Sequence, residues 1–368
     1  MTRGKTALAA IMPEPHADVE LRACPLPELE PDSALLKVEF SEVCGTDVYL
    51  REGRLAGVPY PIIPGHVSVG TIERIRGRFA DIEGAPFAEG DRATFLDVHG
   101  TCNACWYCTV AKATTRCPYR KVYGITYGVA DGLTGGWSEY VYLKPGVKAI
   151  RMDGVDSELY MAGGCSLPTA LHAVERAEIR LGDTVVILGT GPVGLSAIAF
   201  STLRGAAKVL AIGAPDHRLR TARAMGAAET LNFEEHSDSQ RLAWVANLTG
   251  GRGADVTIEC TGAPAAVAQA MRFTRDAGHV CIVGQYTDHG EIGFNPHLDL
   301  NQKHLDVWGC WGSDYSHFHR GVDMLRGRTA AGLWSAVKLE RFSLSQANEA
   351  LAAVAEGRVT KALMVPQA

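Results

Sequence analysis

A strand-length apolar run, TVVIL at 184–188, opens directly into Gly189-Thr190-Gly191-Pro192-Val193-Gly194 and then into the helical pattern LSAIAFSTLRG. The pattern G-x-G-x-x-G alone is a weak signal; a strand before it and a helix after it make it specific. The glycines permit a tight turn and let a pyrophosphate approach the backbone N–H groups at the helix N-terminus. A glycine-rich turn without a ligand is the alternative. Further apolar strands, KVLAIGA (208–214), DVTIECTG (255–262) and HVCIVGQ (279–285), alternate with the helical segments HRLRTARAMGA and AAVAQAMRFT. That alternation points to a parallel sheet covered on both faces, a doubly wound α/β domain. Candidate dinucleotide contacts are Gly189, Gly191, Pro192, Val193 and Gly194, with Thr261, Gly262 and Val283 at the ends of later strands.

The second strand of such a domain ends in an acidic residue when it holds a free ribose 2′-hydroxyl. Here Gly213 takes that place. Asp216 follows three residues late, and His217 with Arg218 suits a 2′-phosphate, unless the pair is only a solvated helix start. NAD and NADP both stay open.

At 368 residues the chain exceeds a single core, so two domains are expected. Residues 1–158 read as short strands such as ALLKVEF (34–40), VSVGTIERI (67–75) and WSEYVYL (137–143), cut by Gly- and Pro-containing turns. An antiparallel, partly open β-domain is the natural reading. Residues 159–300 form the doubly wound unit. From 301 to 368 the texture is mixed again, with SLSQANEALAAVAEG as a helix and KALMVP as a closing strand, which returns the chain to the first domain.

A net charge of −5 without basic blocks excludes a nucleic-acid footprint. The N-terminal apolar stretch meets Pro13 and Pro15 at once, too short for a signal core or a membrane span. A cytoplasmic protein with no membrane partner is expected.

Cys102, Cys105, Cys108 and Cys117 form C-x2-C-x2-C-x8-C within sixteen residues. Four thiolates close a tetrahedral shell on zinc and leave no open position, so such a site organises a loop and does no chemistry. Three-cysteine spacings of this kind also occur in iron–sulfur proteins. A disulfide framework suits the spacing less well. Two further pieces, Cys44-Gly45-Thr46-Asp47 and Pro64-Gly65-His66, are weak by themselves, since a buried Cys is usually an inert hydrophobe.

Taken together and in order, VCGTD (43–47), PGHVSVG (64–70), the cysteine lobe at about 97–120, GGWSEYVYL (135–143), CSLPTALHAV (165–174), GTGPVG (189–194) and GRVTKALMVP (357–366) resemble the zinc-containing medium-chain alcohol dehydrogenase family over essentially the whole chain. The resemblance implies a GroES-like catalytic domain beside the Rossmann domain, two zinc ions per chain, NAD or NADP, and a homodimer or homotetramer. It implies Cys44, His66 and Cys165 as ligands of a catalytic zinc with a fourth place for water or substrate. Asp47 becomes the carboxylate that orients His66, and Thr46 the hydroxyl that takes the substrate proton. Thr169 falls on the nicotinamide side, and Lys361 where a cation lies near the cofactor phosphates.

Three positions depart from the family pattern. Val67 stands where Glu commonly follows the histidine ligand, which removes a carboxylate able to visit the metal. Tyr49 replaces the terminal relay histidine, and a phenol with a pKa near 10 is a poor base. The lobe has eight residues before its last cysteine where seven is usual.

The implied chemistry is reversible hydride transfer between an alcohol and its ketone, with zinc lowering the alcohol pKa and the nicotinamide carrying the hydride. The apolar cast of Tyr49, Leu50, Phe95, Trp308 and Trp311 leans toward a secondary or cyclic alcohol, although these side chains can equally be core. A zinc-free enone or quinone reductase of the same superfamily is the rival enzyme. A non-catalytic nucleotide sensor is the rival of another class.

Overall fold

The computed structural model describes residues 6–368; Met1–Lys5, part of the N-terminal stretch weighed above as a leader, lie outside the described residues. The chain divides into two compact units. The first runs to Cys165 and takes back Asp314–His319 and Lys338–Ala368, while the second comprises Ser166–Ser313 and Arg320–Val337. Both boundaries differ from the sequence reading. The helix Ser157–Gly163 packs on strands of the first unit, which moves the first boundary past 158. A further parallel strand after residue 300 extends the second unit beyond the expected return.

In chain order the strands of the first unit are β1 (Thr6–Ile11), β2 (Glu20–Pro25), β3 (Ser33–Val43), β4 (Ser68–Arg76), β5 (Arg92–Phe95), β6 (Val98–His99), β7 (Lys121–Val122), β8 (Tyr140–Leu143) and β9 (Ala149–Arg151). Its helices before the return are α1 (Gly45–Arg51), α2 (Trp106–Thr109) and α3 (Ser157–Gly163). The second unit supplies β10 (Thr184–Leu188), β11 (Lys208–Gly213), β12 (Glu229–Asn232), β13 (Ala254–Glu259), β14 (Thr274–Ile282) and β15 (Asp306–Gly309), with helices α4 (Ser166–Arg176), α5 (Pro192–Leu203) and α6 (Asp216–Ala224) among them. The return adds β16 (Leu339–Phe342) and β17 (Lys361–Met364).

The first unit is built on a seven-stranded, mostly antiparallel sheet ordered β16-β17-β3-β4-β5-β9, with β8 also on β3. Strand β3 is its spine. It pairs β4 along its length, β8 at Ala34–Lys37 and β17 at Ser41–Val43, and its register against β4 shifts twice. Such irregularities bend a strand and raise its twist, which lets β3 serve two partners in succession on one edge. Gly70 of β4 crosses β3 where a Cβ would overlap the carbonyl oxygen of Lys37. Because β4 and β17 both run antiparallel to β3, both begin where β3 ends. Three strand ends therefore meet at residues 41–44, 66–68 and 361–362.

The second unit is a six-stranded parallel sheet ordered β12-β11-β10-β13-β14-β15, that is, third, second, first, fourth, fifth and sixth. The order reverses between β10 and β13, the switch point at which doubly wound sheets take ligands. Apolar side chains of β10, β11, β13 and β14 fill its core beneath the neighbouring helices.

The crossing at Gly70 yields a test of the β3–β4 register. Gly70→Ala should lower stability by about 1–3 kcal/mol through forced overlap, read as a lower urea midpoint with unchanged slope.

Candidate metal centre and dinucleotide site

Strand β3 delivers Cys44 as the residue that caps α1. Its backbone is extended, its sulfur accepts the Thr46 N–H at 3.3 Å, and the Asp47 carboxylate turns back to accept the Cys44 N–H at 2.9 Å. The second oxygen of Asp47 lies 3.4 Å from the Gly65 nitrogen. Asp47 therefore ties together the two loops that carry Cys44 and His66. No hydrogen bond joins it to the imidazole, whose Nδ1 is buried with no partner; its link to His66 runs through the Gly65 backbone.

His66 sits in the loop that enters β4. Gly65 before it has a φ of 89°, and a side chain there would overlap the buried Trp137 ring and Ser41. Cys165 follows Gly164, which ends α3. The ligand atoms of Cys44, His66 and Cys165 all lie within 4.8 Å of one another, although the residues span 121 positions of sequence (44 to 165).

The electrostatics of the cluster are those of competing protons. A hydrogen bond from Cys165 holds Cys44 well below the ordinary thiol pKa; burial opposes this and His66 assists it. The same sulfur contact, with burial, drives Cys165 well upward. For His66, burial works against the charged ring, yet the charge and hydrogen bond of Cys44 outweigh it and raise the pKa to about 10. Two sulfurs and an imidazole with unused bonding capacity fit zinc, which takes N and S donors and in catalytic sites keeps one position open.

The lobe is a separate cluster. The Cys105–Cys108, Cys102–Cys117 and Cys105–Cys117 sulfurs lie 3.6, 3.7 and 4.0 Å apart. Tetrahedral zinc with bonds of about 2.3 Å spaces its sulfurs by about 3.8 Å, so the four thiols fit the ion without rearrangement. Backbone N–H groups of Ala104 and Cys105 point at Cys102 Sγ and lower its pKa to about 6.

In the second unit the turn after β10 is a cradle. Gly189 has a φ of 98°, and a Cβ on Gly194 would overlap the Gly189 carbonyl. A Cβ on Gly191 would meet nothing within 4 Å, so space is open where a ligand approaches the backbone. Gly191 caps α5 without a side chain, and Pro192 and Val193 begin that helix. Uncapped N–H groups at a helix start form an anion site. Across the switch point, Glu259 Oε1 accepts from the N–H groups of Thr261 and Gly262, at 2.6 and 3.0 Å. Val283 follows β14 and is buried. Thr169 lies half-buried on α4.

Residues 30–153 match the family described as the alcohol dehydrogenase GroES-like domain, and residues 192–326 the family described as zinc-binding dehydrogenase. A 5-exo-hydroxycamphor dehydrogenase of Pseudomonas putida is 31% identical over 96% of this chain and 97% of its own length. The chain belongs to the zinc-type medium-chain alcohol dehydrogenases. A sorbitol dehydrogenase of Bacillus subtilis is 28% identical over 91% of this chain and 90% of its own. The crystal structure of an alcohol dehydrogenase from Thermotoga maritima superposes with a TM-score of 0.93 at 30% identity, covering 99% of this chain and all of the other.

One further expectation fails within this dehydrogenase. Lys361 is no cofactor-phosphate contact. It is 2% exposed, its ammonium is paired with Glu42, and it donates to the Gly163 carbonyl at 3.2 Å. Of the two readings open for Leu50 and Phe95, core is the one observed: they are fully buried in two apolar clusters of the first unit. Trp308 is partly exposed on β15, and Trp311 stacks on Tyr286 and bonds its carbonyl at 3.1 Å. The residue that sequence reasoning missed is Glu42, fully buried against Cys165. Its only signal was an acidic residue two positions before Cys44, at a strand end.

Metal loading should displace the protons of His66 and Cys165, about two per ion. Affinity for zinc at the triad therefore rises with pH, less steeply above about 10, where His66 has lost its proton and only Cys165 keeps one, measurable by competition with a chromogenic chelator. Cys105→Ser should remove the other ion and lower the melting temperature while the triad metal stays. Normal melting with loss of the triad metal instead would contradict this division of roles.

Proposed function

We propose that this dehydrogenase oxidises a secondary or cyclic alcohol reversibly to its ketone. Cys44, His66 and Cys165 would hold the catalytic zinc, and the lobe a structural one. The observation that carries the reading is the convergence of these three ligand atoms within 4.8 Å. A zinc-free reductase has no use for such a cluster. The camphor-alcohol and polyol dehydrogenases among the relatives support secondary carbinols as the substrate class. Bound zinc supplies Lewis acidity that lowers the alcohol pKa, and NAD or NADP supplies the hydride acceptor.

The chain's own contribution is to orient and to move a proton. Thr46 lies half-buried in the first turn of α1, its N–H held by the Cys44 sulfur, which supports its hydroxyl as the group that takes the substrate proton. Tyr49, one turn on, does not continue the relay as a base. Burial raises its phenol, with Arg54 opposing and Glu52 adding to the rise, so the proton passes to water.

The cradle at Gly189, Gly191 and Gly194 supports the dinucleotide site. At the tip of β11, a Cβ on Gly213 would overlap Thr190, so no acidic side chain fits there. Asp216 is engaged by Asn232 at 2.9 Å, and His217 and Arg218 are half-buried beside it. A preference for NADP would assign His217 and Arg218 to the 2′-phosphate, whereas a preference for NAD would assign Asp216 to the ribose. Ten cysteines without a disulfide support a reducing, cytoplasmic compartment, and among the described residues no helix is long and apolar enough to cross a membrane. A homodimer or homotetramer completes the proposal.

A panel of secondary and cyclic alcohols with each cofactor, followed by reduced-nicotinamide absorbance, tests the activity; no turnover with any alcohol refutes it. Cys44→Ala and His66→Ala should abolish turnover in folded protein. Thr46→Ala should lower kcat by about 10²–10⁴-fold, the usual range for one proton-transfer group, with zinc content unchanged and Thr46→Ser largely active. Full activity in Thr46→Ala would remove the hydroxyl from the mechanism.

A further inference from the structure

We propose that Glu42, held by Lys361, is the positioning residue that presents the Cys165 sulfur to the catalytic metal. The inference rests on the reading that Cys44, His66 and Cys165 bind that metal.

The carboxylate contacts Cys165 twice. Glu42 Oε2 accepts the Cys165 N–H at 2.6 Å, and Oε1 lies 3.3 Å from Cys165 Sγ. The backbone hydrogen bond fixes where the residue begins, and the second contact fixes where its side chain points. The main chain of Glu42 reaches the other two ligands as well. Its N–H donates to the carbonyl of Val67, next to His66, at 2.9 Å, and its own carbonyl accepts the Trp137 indole at 3.0 Å. Cys44 is two residues further along β3. One residue thus links all three ligand-bearing segments.

The carboxylate is completely buried, and so is its partner: Glu42 is 0% and Lys361 2% exposed. A buried ion pair is a poor stability device, because desolvating two charges can cost more than their attraction returns, and well-packed apolar side chains often do as well or better. Stability alone therefore gives no reason to keep this pair. Its contact with a ligand sulfur does. Neighbouring backbone has also made room for it. Gly164 has a φ of 51°, and a Cβ there would overlap Glu42 Oε2 and come within 2.7 Å of Lys361 Nζ. Lys361 spends its other hydrogen bond on the Gly163 carbonyl, at 3.2 Å, so the ammonium also anchors the end of α3 from which Cys165 departs.

Charge balance gives Lys361 its part. A thiolate bound to metal would repel a lone carboxylate at this distance, and the ammonium paired with Oε1 offsets that repulsion. Groups that orient metal ligands typically change affinity by about 10–100-fold when removed.

The experiment measures zinc per chain and zinc affinity by chelator competition in wild type, Glu42→Gln and the double variant Glu42→Gln/Lys361→Met. The double variant removes both buried charges, so it remains informative if the single variant folds poorly. Melting is followed in parallel. Cobalt(II) loaded in place of zinc reports the thiolate–metal charge-transfer band. The expected result is a triad ion bound about 10–100-fold more weakly with an altered cobalt band, at near wild-type melting of the double variant and with the four-sulfur ion retained. A folded variant that keeps wild-type triad affinity and cobalt spectrum overturns the proposal. Wild-type protein that holds only the four-sulfur ion overturns the triad reading itself, and the positioning role with it. The two failures differ in which protein lacks the effect.

Discussion

Two thiols and an imidazole forced into one buried space cannot all be in their metal-binding state without a cation among them. That constraint governs the first unit. Deprotonated together, Cys44 and Cys165 would place two negative charges within 4.8 Å of each other in a medium that screens charge poorly. The chain alone resolves this by leaving the proton on Cys165, whose pKa is raised, and on His66, whose pKa rises to about 10. A divalent ion held by the three groups would take the place of both protons and relieve the same conflict. The architecture serves to hold the three groups close in spite of their repulsion. The ends of β3, β4 and β17 supply the rigidity, because each is fixed by a sheet ladder on a neighbouring strand.

The four-cysteine lobe solves a different problem with the same donor. Its thiols come from one short segment, so their approach needs no sheet, only the turn through α2 and the backbone N–H groups that point at the sulfurs. Four sulfurs saturate a tetrahedral ion. The triad offers three ligand atoms: among the described residues no fourth joins the cluster, and Glu42 reaches Cys165 without belonging to the group of mutually close ligand atoms. Three donors in one cluster and four in the other thus follow from how each segment is delivered.

Much of this was legible in the sequence, for physical reasons. A parallel sheet buried on both faces writes itself as uninterrupted apolar runs, so β10, β11, β13 and β14 could be read directly. A phosphate cradle needs glycine at Gly189 and Gly194, where a side chain is excluded by backbone geometry. The cysteine lobe is local and shows in its spacing. Long-range features were not readable in this way. The roles of Asp47 and Lys361 depend on which backbone groups fold against them, and spacing holds no record of that. The resemblance placed Lys361 at a phosphate, yet β17 runs beside β3 and turns its ammonium onto Glu42. The unit boundary at Cys165 depends on where α3 packs, which composition does not encode.

The same packing gives meaning to the departure at Val67. On sequence alone, the missing glutamate after His66 reads as a carboxylate lost from the metal's neighbourhood. In the fold, residue 67 and residue 42 are bonded neighbours across the strand ends, through the Glu42 N–H and the Val67 carbonyl. A carboxylate has therefore been supplied from the adjacent strand. The site has one buried ammonium, that of Lys361, already shared between Glu42 and the end of α3. A further carboxylate at position 67 would be buried with no ammonium left to pair it and without the backbone N–H groups that serve Asp47, at a penalty of several kcal/mol. Val67, 7% exposed, meets that condition with an apolar side chain. Glu42 and Val67 are thus two halves of one arrangement, in which the carboxylate stands on β3, where the Lys361 ammonium meets it, and an apolar side chain stands beside the histidine.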